Sequence, residues 1–493
     1  MTVVAVPRAH ALEPMRRRSR RPFLWVLPAV WTVACGLWGL SRENSVWRDE
    51  AATWQVARRS SGAIAHMLEH VDAVHGLYYL LMHALFTCFG AGTTTLRLPS
   101  VLAMAVAAGC VTRLGQRLAG DRSGLAGGLA LGLLPAVQFH LQEGRPYALV
   151  TAGAGVATVL LVTALEGRAR RRQWIAYAAA VTVCGLLNWL SLLVLPAHLV
   201  TLAWSRARRR VLARWAVASA LAVAAVLPLI LFSLGQAEQV SWIPPLTWHM
   251  LIGPAVLVAI GALCALADRP RARRPSAAAV GLPLLAVPQL LLLCVSLVKP
   301  LFLDRYVLFA LLGLALLIGA ALGAAVRALR PRWPRVSAAL VPVVVAVALV
   351  ALLPQSPVKR SPASRVDDVL AVAADVRRLK QDGDAVVFVP AARRDTALVS
   401  PAAFAGLRDI ALAEGPVESG TLKGEEASPA RIRSALPAQR RVLLVTDAAA
   451  VARPVRARRD AVKSAVLKRY FTVVTDVEVR GRRVTVHERR PSR

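Results

Sequence analysis

Four polar stretches interrupt an otherwise apolar sequence and hold residue types that can do chemistry. The first is Trp47-Arg48-Asp49-Glu50, two adjacent carboxylates behind a cation. Two carboxylates within reach of one substrate suit a general base that deprotonates a hydroxyl, or oxygen ligands for a divalent cation such as Mg or Mn. The same pair would also make an ordinary helix start, because acids in a first turn complement the helix dipole. The second stretch, His140-Leu141-Gln142-Glu143-Gly144-Arg145-Pro146-Tyr147, sets an acid and a cation between two apolar segments. Charges at a bilayer rim are costly unless they face a cavity or pair with each other. Glu143 could therefore join Asp49 at a metal or acceptor site while Arg145 faces a phosphate, or the two could pair locally with His140 and Tyr147 as interfacial anchors.

The third stretch, Lys299-Pro300-Leu301-Phe302-Leu303-Asp304-Arg305-Tyr306, offers cations that can hold the phosphate of a lipid whose tail lies in the bilayer, Arg305 by a bidentate fork. The alternative is an interfacial cluster in which Asp304 neutralises Arg305. The fourth, Asp72-Ala73-Val74-His75-Gly76-Leu77-Tyr78-Tyr79, carries a lone histidine of the kind that is usually structural.

These stretches are positioned by apolar blocks near 23–40, 76–92, 98–118, 124–141, 147–166, 174–190, 191–204, 211–233, 250–267, 277–298, 306–325 and 337–353, most of them long enough to span a bilayer. With 56% of 493 residues hydrophobic, the chain reads as an α-helical polytopic membrane protein. The net charge of +33 does not indicate nucleic acid, because Lys and Arg lie between apolar blocks rather than in a basic domain with interleaved aromatics. All six cysteines, Cys35, Cys88, Cys110, Cys184, Cys264 and Cys294, fall inside apolar segments without metal spacing or a disulfide framework. Arg16 to Arg21 precede the first block without a small-residue cleavage site, as in a signal anchor.

Basic clusters at Arg113/Arg117/Arg122, Arg168–Arg172, Arg206–Arg214, Arg269–Arg274 and Arg327–Arg335 place alternate loops, and the N-terminus 1–22, in the cytoplasm. Of 34 Lys and Arg in residues 1–354, 26 fall in those cytoplasmic segments. Glu43, Asp49, Glu50, Glu69, Asp72, Glu143, Glu238 and Asp304 map to the outer side of a plasma membrane. For Asp49 and Glu143 to share that side, block 76–92 must be a juxtamembrane or re-entrant piece, which leaves eleven crossings between 23 and 354.

After Pro354-Gln355-Ser356-Pro357 the sequence becomes mixed and polar, and 355–493 is expected to be a small extracytoplasmic α/β domain. Its periodicity predicts a helix over Val366–Lys380, strands at Ala385–Pro390 and Arg441–Thr446, a helix near Val455–Arg469, and strands at Thr472–Val479 and Arg483–Glu488. A loop at Glu414–Glu426 separates the halves.

In their order and common placement these motifs resemble the GT-C superfamily of membrane glycosyltransferases, in particular the bacterial enzymes related to protein mannosyltransferases and lipid A aminoarabinose transferases (glycosyltransferase family 39-like). The resemblance rests on Trp47-Arg48-Asp49-Glu50-Ala51 in the first outer loop (41–75), His75-Gly76-Leu77-Tyr78-Tyr79, Arg97-Leu98-Pro99-Ser100, Gln142-Glu143-Gly144-Arg145-Pro146-Tyr147 and Asp304-Arg305-Tyr306. One departure is Gly76, where the family usually has proline. The resemblance implies transfer of a sugar from a polyprenyl-phosphate donor to a cell-envelope acceptor, whether protein, lipid or glycan. Asp49 would activate the acceptor or bind a metal, with Glu50 as its neighbour in that task and Glu143 as the second-loop acid and possible metal partner. Arg145 and Arg305 would contact the donor phosphate, and His75, Tyr78, Arg97, His140, Tyr147, Lys299 and Tyr306 would line the substrate site. The competing expectations are a transporter or flippase of lipid-linked sugar without transferase activity, which the scarcity of ionisable groups inside the spans disfavours, and a membrane-anchored scaffold.

Overall fold

The computed structural model describes residues 22–236, 243–267, 275–455 and 457–491. The arginines at 16–21, Glu238 and the whole Arg269–Arg274 cluster lie outside them. Helix α1 (Val26–Leu37) leads into a loop that carries α2 (Arg48–Ala57), α3 (Ser61–His70) and α4 (Gly76–Phe89). There follow α5 (Thr93–Leu118), α6 (Asp121–Leu133), α7 (Pro135–His140), α8 (Tyr147–Leu165), α9 (Arg171–Leu187), α10 (Val194–Trp204), α11 (Arg209–Leu234), α12 (Trp248–Leu266), α13 (Ala277–Val298), α14 (Leu311–Leu329) and α15 (Pro334–Leu352).

Among the described residues, seven helices are each long and apolar enough to cross a bilayer: α5, α8, α11, α12, α13, α14 with its leading 3-10 turn, and α15. The remaining apolar blocks are shorter or segmented, so the expected eleven crossings are not eleven continuous long helices. Block 124–141 divides at Leu134, whose ψ of 129° is extended, because Pro135 disfavours a helical residue before it and supplies no N–H. Block 191–204 begins as a 3-10 turn over Trp189–Leu193 before α10. Helices α5, α6 and α14 pack closely through small residues; a Cβ on Gly319 would collide with Ser123 O on α6.

Helix α4 has 14 residues, about 21 Å of helix, which is short for a bilayer. His75 at its start bonds to Arg145 at 3.1 Å, and Arg97, in the first turns of α5 just beyond its end, bonds to Glu50 at 2.8 Å. His75 at the start of α4 and Arg97 in α5 thus both bond into the charged cluster around α2. Gly76 begins α4 with φ −53°, a value proline also adopts, but its N–H donates to Ala73 O and His75 before it is not extended, so glycine in place of the expected proline permits a local turn that proline would not.

Beyond α15, α16 (Gln355–Arg360) leads to α17 (Val369–Leu379), β1 (Ala385–Val389), α18 (Asp395–Val399), α19 (Pro401–Phe404), β2 (Arg408–Asp409), β3 (Leu412–Glu414), β4 (Glu425–Glu426), α20 (Pro429–Ala435), β5 (Arg441–Asp447), α21 (Arg458–Tyr470), β6 (Phe471–Val479) and β7 (Arg482–Arg489). Five strands form a sheet in the order β2-β1-β5-β7-β6, parallel across β2-β1-β5 and antiparallel beyond. Val372 and Val376 of α17 pack on one face against Phe388, Val445 and Val486, while Val462, Val466 and Leu467 of α21 cover the other with Val387 and Val442. The segment 414–426, expected to be a loop, ends in the β3–β4 ribbon, whose strands are too short to show a period.

The sheet domain is seated on the loop that carries α2. The Arg48 backbone N–H and Nε donate to Asp367 at 2.9 Å each, and Val369 N donates to Val46 O at 2.7 Å. Asp367 also accepts from Arg482 at 2.9 Å, and Arg482 forks onto Asp395 with two bonds of 2.8 Å. Arg482 is fully buried, so removing it strands two carboxylates away from water. Arg482→Ala is expected to lower stability by about 3 kcal/mol or more, read as a fall in the thermal unfolding midpoint of the detergent-solubilised protein.

Candidate active site

Acids at the N-terminus of α2 complement its dipole, and Trp47, extended at φ −97° and ψ 166°, turns the chain into it. Successive residues of a helix project about 100° apart, so Arg48, Asp49 and Glu50 take three different directions. Glu50 points into the helical bundle. It is fully buried and receives Arg97 Nε at 2.8 Å, Arg97 Nη2 at 2.7 Å and the Gly144 N–H at 3.0 Å. Burial alone would raise its pKa, but Arg97, with Arg42 and Arg365 behind it, holds it below the ordinary carboxylate value. Arg97 spends its other donors on the carbonyls of Leu40, Ser41 and Ser45. Sequence reasoning set Glu50 beside Asp49 as a reactive group and Arg97 among substrate contacts; the structure spends both on fixing the fold around Asp49.

Asp49 points the other way. Its Oδ2 accepts from Arg305 Nη1 at 2.6 Å, and Oδ1 accepts no hydrogen bond from the described residues. The Asp49 side chain is 23% exposed, against 0% for Glu50, 1% for Glu143 and 14% for Asp72. It is thus the most exposed carboxylate of the cluster. Arg145 lies alongside, its Nη1 3.4 Å from Asp49 O and its Nη2 3.1 Å from His75 Nε2. His75 Nδ1 is 2.7 Å from Asp72 Oδ1, and Tyr79 donates to the other Asp72 oxygen, so the imidazole is held as a spacer between Asp72 and Arg145.

Glu143 sits behind this layer, with Oε2 2.5 Å from His140 Nδ1 and Oε1 buried without a partner among the described residues. Burial raises its pKa, but His140, Arg365 and Arg305 outweigh that and bring it down from 4.5 to about 2. Tyr147 and Tyr306 stack near one another at 6.0 Å, with the Arg305 guanidinium over both rings at 5.6 and 5.9 Å. Tyr78 is fully buried, and among the described residues neither its hydroxyl nor the Arg145 Nε has a hydrogen-bond partner. Lys299 is exposed at the end of α13, and no bond to the cluster is seen among the described residues.

The sheet domain adds a cation that sequence reasoning missed. Arg365, in the segment before α17, lies 3.3 Å over the Phe139 ring, donates to Phe139 O at 2.8 Å, and keeps Nε and Nη1 buried without partners among the described residues. It acts electrostatically on both Glu143 and Asp49. No motif marked it, since it is one of many arginines in a polar tail. Arg42, Arg97, Arg145, Arg305 and Arg365 outnumber Asp49, Glu50, Asp72 and Glu143. With Asp49 bonded to Arg305 and Glu143 to His140, the expected Mg or Mn between Asp49 and Glu143 does not fit this donor set; a surplus of buried guanidinium N–H groups fits an anion.

Residues 75–232 match the profile of the family described as dolichyl-phosphate-mannose-protein mannosyltransferase. Among solved structures, ArnT from Cupriavidus metallidurans is similar in the apo state, at 15% identity and a TM-score of 0.61, over 94% of this chain and 97% of that one. The same protein bound to undecaprenyl phosphate gives 15% identity and a TM-score of 0.58, over 94% and 98%. Arabinofuranosyltransferase AftD from Mycobacteria gives 15% identity and a TM-score of 0.51, over 94% of this chain and 41% of that one. No curated protein sequence matches. The chain has the multi-pass membrane fold of the GT-C glycosyltransferases. Within that class it resembles the mannosyltransferases and aminoarabinose transferases.

A carboxyl whose folded pKa is depressed stabilises the fold above its unfolded pKa and loses that contribution as pH falls through the folded value. The stability difference between wild type and Glu143→Gln should therefore be complete at neutral pH and shrink as pH falls from 4.5 to about 2, measured by denaturant unfolding.

Proposed function

We propose that this protein transfers a sugar from a polyprenyl-phosphate donor to a cell-envelope acceptor at the outer face of the plasma membrane. The observation that carries this reading is Asp49, reachable and with one oxygen uncommitted, set against a cation-rich rim of Arg305 and Arg145. In this reading the acceptor hydroxyl gives its proton to Asp49 while its oxygen attacks the anomeric carbon from the side opposite the phosphate, inverting the centre. The bond from anomeric carbon to phosphate oxygen breaks, and the electron pair stays on the lipid phosphate. Arg305, Arg145 and Arg365 stabilise that developing charge, and they are held by protein contacts before substrate arrives, which lowers the reorganisation cost. Glu143, ionised and turned toward His140, orients the cationic layer rather than meeting the acceptor. The basic loops near Arg113, Arg117 and Arg327 gather around Ala119 and Pro22 at the opposite end of the bundle, which supports their cytoplasmic assignment. The likeness to a protein crystallised with undecaprenyl phosphate supports the donor class.

Transfer from radiolabelled polyprenyl-phosphate sugar in proteoliposomes tests this. Asp49→Asn is expected to lower kcat by about 10²–10⁴-fold with a smaller effect on donor KM. Unchanged kcat would remove Asp49 from the base role, and movement of donor across the bilayer without transfer would favour a flippase. Arg365→Gln is expected to raise donor KM about tenfold or more, since one charge-assisted contact is lost.

A further inference from the structure

Away from the Asp49 cluster, α3 carries His66, Glu69 and His70, spaced so that all three side chains share one face of the helix. Their potential ligand atoms lie within 4.8 Å of one another, and among the described residues this is the one group of three His, Cys, Asp or Glu that meets that spacing. His70 Nδ1 is 2.9 Å from His66 O, and His66 Nε2 is 3.3 Å from Glu418 O in the sheet domain. A carbonyl oxygen only accepts, so both bonds put the imidazole proton on those nitrogens. The lone pairs are left on His70 Nε2 and His66 Nδ1, and the latter is already 3.6 Å from Glu69 Oε2. Histidines that bind metals commonly donate the other ring N–H to a carbonyl, which fixes tautomer and ring orientation. Gly420 presses the sheet-domain segment onto the same rings. At φ +59°, a Cβ there would stand 2.8 Å from His70 Nδ1 and 2.9 Å from His66 Nε2.

We propose that His66, Glu69 and His70 form a site for a transition metal ion of the zinc class, with its remaining coordination positions open to solvent. Two imidazoles and one carboxylate suit Zn²⁺, whereas Mg²⁺ and Ca²⁺ prefer all-oxygen shells. The site lies where two parts of the chain meet. Glu418 O holds His66, and Arg59, just before α3, donates to Pro416 O at 3.2 Å and Thr421 O at 2.9 Å. α3 runs directly into the turn that supplies Asp72 and His75. A bound ion therefore fixes the His66 ring that bonds to Glu418 O and so steadies the contact between α3 and segment 415–421, whatever the Asp49 cluster transfers.

The test uses the full-length untagged protein in detergent, stripped with chelator and titrated with ZnCl₂, and with CoCl₂ as a spectroscopic probe. Wild type is expected to bind one Zn²⁺ saturably, to show visible Co²⁺ bands of an imidazole-containing site, and to unfold at higher temperature with Zn²⁺. His66→Ala and His70→Ala, both on a solvent-facing surface, should weaken Zn²⁺ binding by about tenfold or more and abolish the thermal shift. Absence of saturable binding by wild type, or equal affinity in the double variant, overturns the proposal. If either variant folds poorly, X-ray absorption of the zinc-loaded wild type decides: two imidazole ligands support the site, and a shell without imidazole overturns it.

Discussion

Everything at the candidate active site depends on the first turn of α2, where three consecutive charged residues are each claimed by a different part of the molecule. Arg48 is taken by Asp367 of the sheet domain, Asp49 by Arg305 of the segment before α14, and Glu50 by Arg97 of α5. A helix cannot rotate to satisfy one of these without breaking the others, because the side chains leave its axis about 100° apart. The turn is therefore located by triangulation. Only the Asp49 corner opens to the outside, and that asymmetry is why the proposed base is Asp49 and not its fully buried neighbour.

Buried ion pairs are a weak source of net stability, since desolvation offsets much of their attraction. Here their value lies in geometry and in field. Glu50–Arg97 and Asp367–Arg482 hold backbone segments in register, and their formal charges cancel locally. What remains is a surplus of guanidinium over carboxylate around Asp49 and Glu143, with the Arg145 Nε and the Arg365 Nε and Nη1 unpaired among the described residues. Such a layer at the edge of an apolar bundle favours a ligand with an anionic head and an apolar tail.

The class of fold and the charged residues that gather around α2 were legible because they rest on local signals. Apolar blocks mark helices, and acids crowded into a few loops of a carboxylate-poor membrane half mark Asp49 and Glu143. Glu50 could not be separated from Asp49 by composition, since only the helical geometry shows that neighbours in sequence face different partners. Arg365 carried no signal at all, for its meaning comes from contacts with residues some two hundred positions away, such as Phe139 at a separation of 226. The break at Leu134–Pro135 and the ribbon inside 412–426 escaped for the opposite reason: each is too short for a periodic pattern to register.

The pairing of Arg48 with Asp367 spans 319 positions, and Asp367 is itself held by Arg482, near the end of the described residues. During synthesis the acidic loop leaves the ribosome long before the groups that lock it have been made. The acidic loop can therefore take its Glu50–Arg97 and Asp49–Arg305 contacts while the sheet is still incomplete, and its tie to the sheet domain is complete only when β7 brings Arg482 to Asp367.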